Sequence, residues 1–255
     1  MSTITKNKYY VLPDTEDGFT TLTGTNAVSS DGAGLNLTGY QKIINVWTTG
    51  AITVMAQNNV TLTGDFWTDV IDQVWEIIGS DNRQFRLTHD IEGDIRTVIT
   101  GSAGIKVKVR IDQYTITGNY VTVPQYRSIT KVSTATIGDD VLVYYLAEAH
   151  EDVIRSVGSD KTSADDFWRQ IQKAEAFLAT HYGAIAGWEI VPIDRTAAKE
   201  TSSQWKEEYR SLILSLTGQD PFPDMDDINK LDGAYEAKIS TITPDEDSYV
   251  TSTTR

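Results

Sequence analysis

Between Ile105 and Ile111 every second residue is apolar, whereas between Leu142 and Val157 the apolar residues fall three or four apart. A period of two belongs to a strand with one buried face, and a three-four spacing belongs to a helix with one buried stripe. The texture changes near Pro124. No single layer of one element type satisfies both patterns, so the chain reads as α+β. The expectation is an N-terminal antiparallel β-sandwich over residues 1–126, a small α-helical bundle over 127–218, and an extended acidic C-terminal tail over 219–255.

The first part is rich in Thr and Val, cut by Gly, Asn and Asp. Strand-length runs cover Lys42–Thr48, Ala51–Ala56, Val70–Ile78, Gln84–Thr88, Ile95–Thr100 and Ile105–Ile111. Turn signals fall at Thr49-Gly50, Asn58-Asn59, Gly79–Asn82 and Gly101–Gly104. Short strands at this spacing suit a sandwich or barrel. In the last run Lys106, Lys108 and Arg110 alternate with the apolar residues, which gives that strand a basic outer face. The stretch Trp67–Trp75 is ambiguous, because Trp67, Ile71 and Trp75 also fit a helical face.

Residues 125–137 read as a linker or a final strand. Gly138-Asp139-Asp140 then opens a helix, its acids matched to the N-terminal dipole, and Gly158 closes it. Thr162 or Ser163 caps a second helix, whose apolar face is Phe167, Ile171, Ala174, Leu178 and Tyr182 and whose end is Gly183. Trp188–Pro192 is a short extended piece. A third helix covers about 197–216 with Trp205, Tyr209, Leu212, Ile213 and Leu216 as its stripe, and Gly218 stops it. Three amphipathic helices bury their stripes by packing on one another.

The 255 residues contain no cysteine, so disulfides, thiolate catalysis and Cys-based zinc sites are excluded. The reading includes neither a secretory signal nor a membrane span. Net charge is −14, and the last part carries nine acids against three bases. No cluster of Lys and Arg marks a general nucleic-acid binder, although a local basic face stays open.

Candidate chemistry is sparse. His89, His150 and His181 lack metal-ligand spacing and read as surface or helix-face residues. Gly101–Gly104 precedes a strand, so it reads as a hairpin turn and not a phosphate loop. Asp14, Glu16 and Asp17, the period-two trio Asp90, Glu92 and Asp94, and Asp224, Asp226 and Asp227 form acidic groups. The trio is the best metal candidate and the place where a carboxylate-driven glycosidase would keep its acids. Trp47, Trp67 and Trp75 read as sandwich core, with a sugar platform as the other option. Asn36 and Asn59 sit in Asn-x-Thr context and read as chemically idle.

The stretch Ile129-Thr-Lys-Val132, followed by Gly138-Asp-Asp-Val-Leu-Val-Tyr-Tyr-Leu-Ala-Glu-Ala-His-Glu-Asp-Val-Ile-Arg-Ser-Val157, resembles the opening of tailed-phage head–tail connector (adaptor) proteins. Ile171-Gln-Lys-Ala-Glu-Ala-Phe-Leu-Ala-Thr-His-Tyr182 resembles their second helix. A third helix and a polar tail suit the family too. The resemblance covers residues 127–218 and rests on helix spacing and Ala placement. The N-terminal sandwich departs from the simple, nearly all-helical pattern and looks like an added decorating or bracing domain.

The resemblance implies a non-enzymatic virion protein of the phage neck, made in the host cytoplasm and needing no cofactor or metal. It implies a homo-oligomeric ring, usually of twelve copies, that binds the portal protein on one side and the next neck or tail-terminator protein on the other. DNA passes through the channel without specific binding, and no membrane is involved. The alternative is a carbohydrate-binding, fibre or capsid decoration protein. Interface candidates are Trp188 and Ile190 between helices, and Asp220, Phe222, Asp224, Asp226 and Asp227 in the tail, acting as a docking strap.

Overall fold

The computed structural model describes residues 2–13, 15–23, 28–30, 37–59, 67–186 and 195–222. The chain is α+β. Among the described residues nine strands run in order: β1 (Thr3–Leu12), β2 (Thr20–Thr21), β3 (Val28–Ser30), β4 (Lys42–Thr48), β5 (Ile52–Asn59), β6 (Thr68–Ile77), β7 (Asp81–Leu87), β8 (Asp94–Gly101) and β9 (Lys106–Thr117). Four helices follow among the described residues: α1 (Val123–Thr130), α2 (Asp139–Val157), α3 (Trp168–Ile185) and α4 (Arg195–Thr217).

The strands form two antiparallel sheets. A five-stranded sheet has the order β1-β9-β4-β7, with β2 also on β9, and a four-stranded sheet has the order β3-β8-β5-β6. Their inner faces meet in one core. Ile44, Val46, Leu87, Val107, Val109 and Ile111 come from the first sheet, and Ile52, Val54, Ala56, Ile77, Ile95 and Ile99 from the second. Alternation explains this: in β5, Ile52, Val54 and Ala56 are buried while Thr53, Met55 and Gln57 between them are only partly covered. The ambiguous Trp67–Trp75 stretch resolves as strand, since β6 pairs with β5 from Ile77↔Ile52 onward.

The helices carry a second core. It holds Tyr126 from α1, Leu142, Val143, Leu146 and Val153 from α2, Ile171, Ala174 and Leu178 from α3, and Tyr209 and Ile213 from α4. Ile116 at the end of β9 belongs to it, and Ile4 and Tyr114 pack against it. On β9 these lie opposite in parity to Val107, Val109 and Ile111, so they mark the outer face of the five-stranded sheet. The bundle therefore rests on one end of that outer face, with α2 packed on β9 and β1.

Three expectations need correction. Residues 123–130 are helical rather than linker or strand. The cause is a capping box: Gln125 N donates to Thr122 Oγ1 at 3.4 Å, and Thr122 N donates to Gln125 Oε1 at 2.9 Å. The second long helix starts at Trp168 and runs past Gly183 to Ile185. Asp165 accepts from both the amide (2.6 Å) and the hydroxyl (3.0 Å) of Thr162, which closes a turn before the helix and leaves Phe167 exposed instead of on the apolar face. Of the surface or helix-face reading of the helical histidines only the surface half fails: His150 and His181 lie on α2 and α3 and are buried.

Candidate functional site

Two features organise the outer face of the five-stranded sheet: a buried ionic joint where the bundle meets it, and a basic, aromatic strip beyond the joint.

The joint grows from Gly138-Asp139-Asp140. Asp139 Oδ1 accepts from Arg127 Nη2 at 2.6 Å, and its Oδ2 accepts from Gln41 N at 2.7 Å. The exchange is reciprocal, because Asp139 N donates to Gln41 Oε1 at 3.1 Å. Arg127 also donates to the carbonyls of Val132 (3.1 Å), Ser133 (3.2 Å) and Ile137 (2.7 Å), so one guanidinium gathers the whole α1–α2 connection. Both charged side chains are buried, Arg127 with 2% and Asp139 with 0% exposure. Burial pushes the Asp139 carboxyl above its usual range, and Arg127 opposes that shift. Beside them Arg86 on β7 clasps Asp140 with two bonds of 2.8 Å. Gly138 permits this approach, since a Cβ there would sit 2.6 Å from Arg86 Nη1 and 2.4 Å from Asp140 Oδ1. Sequence reasoning identified the two acids as helix-start residues and missed Arg127, Gln41 and Arg86.

A second buried node lies deeper. Glu175 on α3 accepts from Asn119 Nδ2 (3.2 Å), Tyr120 N (3.1 Å) and Val121 N (3.1 Å), and its other contact is His150 Nδ1 at 2.8 Å. The carboxylate satisfies amides that leave the end of β9 and holds that segment against α2 and α3.

Beyond the joint the outer face changes character. Lys8 pairs across to Asp112, and Tyr10 to Arg110, while Trp47 lies opposite Lys108. Lys108 Nζ sits 5.3 Å from the Tyr10 ring centre and 5.6 Å from that of Trp47. The Arg110 guanidinium lies 6.0 Å and 5.4 Å from the same two rings. Two cations thus stand between aromatic walls on β1 and β4, in the geometry of cation–π contacts. A polar ladder crosses the strip: Gln84 Nε2 donates to Asn45 Oδ1 (3.1 Å), Asn45 Nδ2 donates to Asp112 Oδ2 (2.9 Å), and Arg110 Nη2 donates to the same oxygen (2.9 Å). Lys6 Nζ approaches Asp112 at 3.5 Å. Glu16 folds over one end, accepting from Tyr10 Oη at 2.9 Å while its carbonyl accepts from Lys108 Nζ. Five cations (Lys6, Lys8, Lys106, Lys108 and Arg110) face two carboxylates, Glu16 and Asp112. The strip is basic in a chain of net charge −14.

No family model matches this chain, and no curated protein matches it. Among solved structures it is similar to the CBM22-1 and GH10 modules of a Clostridium thermocellum endo-1,4-beta-D-xylanase complexed with xylohexaose, at 9% identity and a TM-score of 0.26. That match covers 84% of this chain and 52% of the other, so the chain spans about half the length of that structure. The likeness is too slight to carry fold or function.

Of the tryptophans read as core, Trp75 packs against the sandwich core, whereas Trp47 and Trp67 do not belong to it. Trp47 is on the outer face under Lys108 and Arg110, and Trp67 has Arg96 4.4 Å over its ring. Trp75 stacks on Phe85 at 4.5 Å, and both are partly buried against the sandwich core. Among the described residues no group of three His, Cys, Asp or Glu side chains could hold a metal. Asp90 of the acidic trio instead pairs with His89 Nε2 at 2.8 Å.

Asp220 and Phe222 fold back on α4. Asp220 accepts from Arg210 Nε at 2.9 Å and from Phe222 N at 2.9 Å, and these bonds hold its carboxyl below the usual range. The Phe222 ring sits 5.5 Å from that of Tyr209, with Lys206 Nζ 4.9 Å from its centre. Trp188, Ile190, Asp224, Asp226 and Asp227 lie outside the described residues.

Proposed function

We propose that this protein is a non-enzymatic structural component of a phage particle, a connector of the neck that forms a ring and joins the portal to the tail. What carries this reading is the outer edge of the four-stranded sheet, where among the described residues no further strand pairs with β6. Strand β6 lies at that edge and holds Ile71 and Val74 with 84% and 53% exposure, and Ile78 just past its end is 89% exposed. Large exposed apolar side chains on an edge strand are a liability for a lone molecule and are covered in an assembly. The buried joint adds support, because a part that holds two neighbours in register needs its own two halves fixed. The resemblance of residues 127–218 to connector proteins supplies the identity of the neighbours. In this reading the basic strip faces away from the channel, and the overall negative charge lets DNA slide without sticking.

The alternative, a carbohydrate-binding or decoration protein, has less support. Sugar platforms offer bare aromatic faces. Trp47, Trp67 and Trp75 each have a face taken by Lys108 and Arg110, by Arg96, or by Phe85.

The test is the mass of the purified protein by light scattering, alone and with portal proteins from the same genome. A closed multi-copy ring on a portal is expected. A monomer or trimer indifferent to every portal overturns the reading.

A further inference from the structure

We propose that the basic strip on the outer face of the five-stranded sheet is the docking surface for the chain's own acidic C-terminal segment, residues 223–255. The inference does not depend on the connector reading.

The charges are complementary. The strip presents Lys6, Lys8, Lys106 and Lys108 around Tyr10 and Trp47. The segment carries Asp224, Asp226, Asp227, Asp232, Glu236, Asp245, Glu246 and Asp247 against Lys230, Lys238 and Arg255. The amide and carboxylate groups of the strip bond one another along the Gln84–Asn45–Asp112–Arg110 ladder. Lys6 shares Asp112 and Lys108 donates to the Glu16 carbonyl, yet the ammonium charges outnumber the carboxylates and each carries up to three donors, so the strip attracts negative charge. The aromatic faces turned toward Lys108 and Arg110 are covered, so stacking of a sugar or a base is disfavoured there.

Geometry allows the contact within one molecule. Residue 222 is anchored beside Tyr209, whose hydroxyl lies 2.8 Å from Ser156 Oγ near the C-terminal end of α2. The other end of α2, against the sheet, is about 25 Å away along the helix axis. The 33 residues from 223 to 255 span roughly 110 Å when fully extended. A tethered segment also competes at a millimolar-scale effective concentration. A separate polyanion must instead approach a chain of net charge −14.

The experiment uses the full chain. Zero-length carbodiimide coupling of carboxylates to lysines is read by mass spectrometry, on a mixture of isotope-labelled and unlabelled protein. Amide links from Asp224–Asp247 to Lys6, Lys8, Lys106 or Lys108, within one copy and several-fold weaker at about 0.5 M salt, are expected. As a second readout, acetylation rates of those four lysines are compared with those in a full-length variant whose eight tail acids are changed to Asn or Gln. Several-fold faster labelling in the variant supports the docking. Equal rates overturn it. So do links confined to Lys131, Lys161 or Lys173, or links formed only between copies. Protection of the strip by added duplex DNA and not by the tail gives the face to nucleic acid and overturns it as well.

Discussion

His181 sits on α3 with 4% exposure, its Nδ1 2.9 Å from the Ser202 carbonyl and 2.8 Å from the Ser202 hydroxyl of α4. Burial lowers its pKa to about 4, the Ser202 bond resists that shift, and nearby Lys206 adds to it. The sign follows from linkage. A histidine whose folded value lies below its unfolded value of 6.5 contributes stability that is complete above pH 6.5 and is lost as pH falls through 4. The whole contribution is at most about 3 kcal/mol. Urea unfolding at stepped pH should show stability falling across this window, and His181→Gln should remove most of that slope. An unchanged slope in the variant would assign the acid sensitivity to other groups. Nothing in the sequence marked His181 as buried, because its partner Ser202 lies on another helix.

Between elements, the Arg127–Asp139 pair is the contact on which α1, α2 and the sheet converge. Removing one member of a buried pair leaves the other charge uncompensated, which costs about 3–5 kcal/mol. Arg127→Met should lower the urea midpoint by a corresponding amount with the strand content of the circular dichroism spectrum retained. A loss under 1 kcal/mol would mean that water reaches the joint. The ends of α2 were legible because Gly138 and Gly158 bracket a clean stripe, and β4 was legible from its apolar run. Strand β1 was not, since Thr-Ile-Thr-Lys-Asn-Lys alternates little and is defined by pairing with β9, about a hundred residues on. Helix α1 did carry a readable signal, Thr122-x-Pro124-Gln125, which its eight-residue length obscured. The basic parity of Lys106, Lys108 and Arg110 was visible, but the aromatic walls were not. Tyr10 and Trp47 flank those cations only once the register of three strands is known.

Across the whole molecule, the outer face of one sheet does two jobs. One end seats the helical bundle through Ile4, Tyr114 and Ile116, and the other end presents the basic strip. The proposed connector role would use this continuity, because whatever fixes the bundle to one neighbour then fixes the position of the sandwich and its β6 edge. The joint, the shared apolar seat and the Glu175 node all cross between the two halves. They should unfold together. Scanning calorimetry of the full chain tests this most directly. A single transition, with calorimetric and van't Hoff enthalpies equal, is the result predicted for one mechanical body. Two resolved transitions, with the helices melting apart from the sheets, would contradict it.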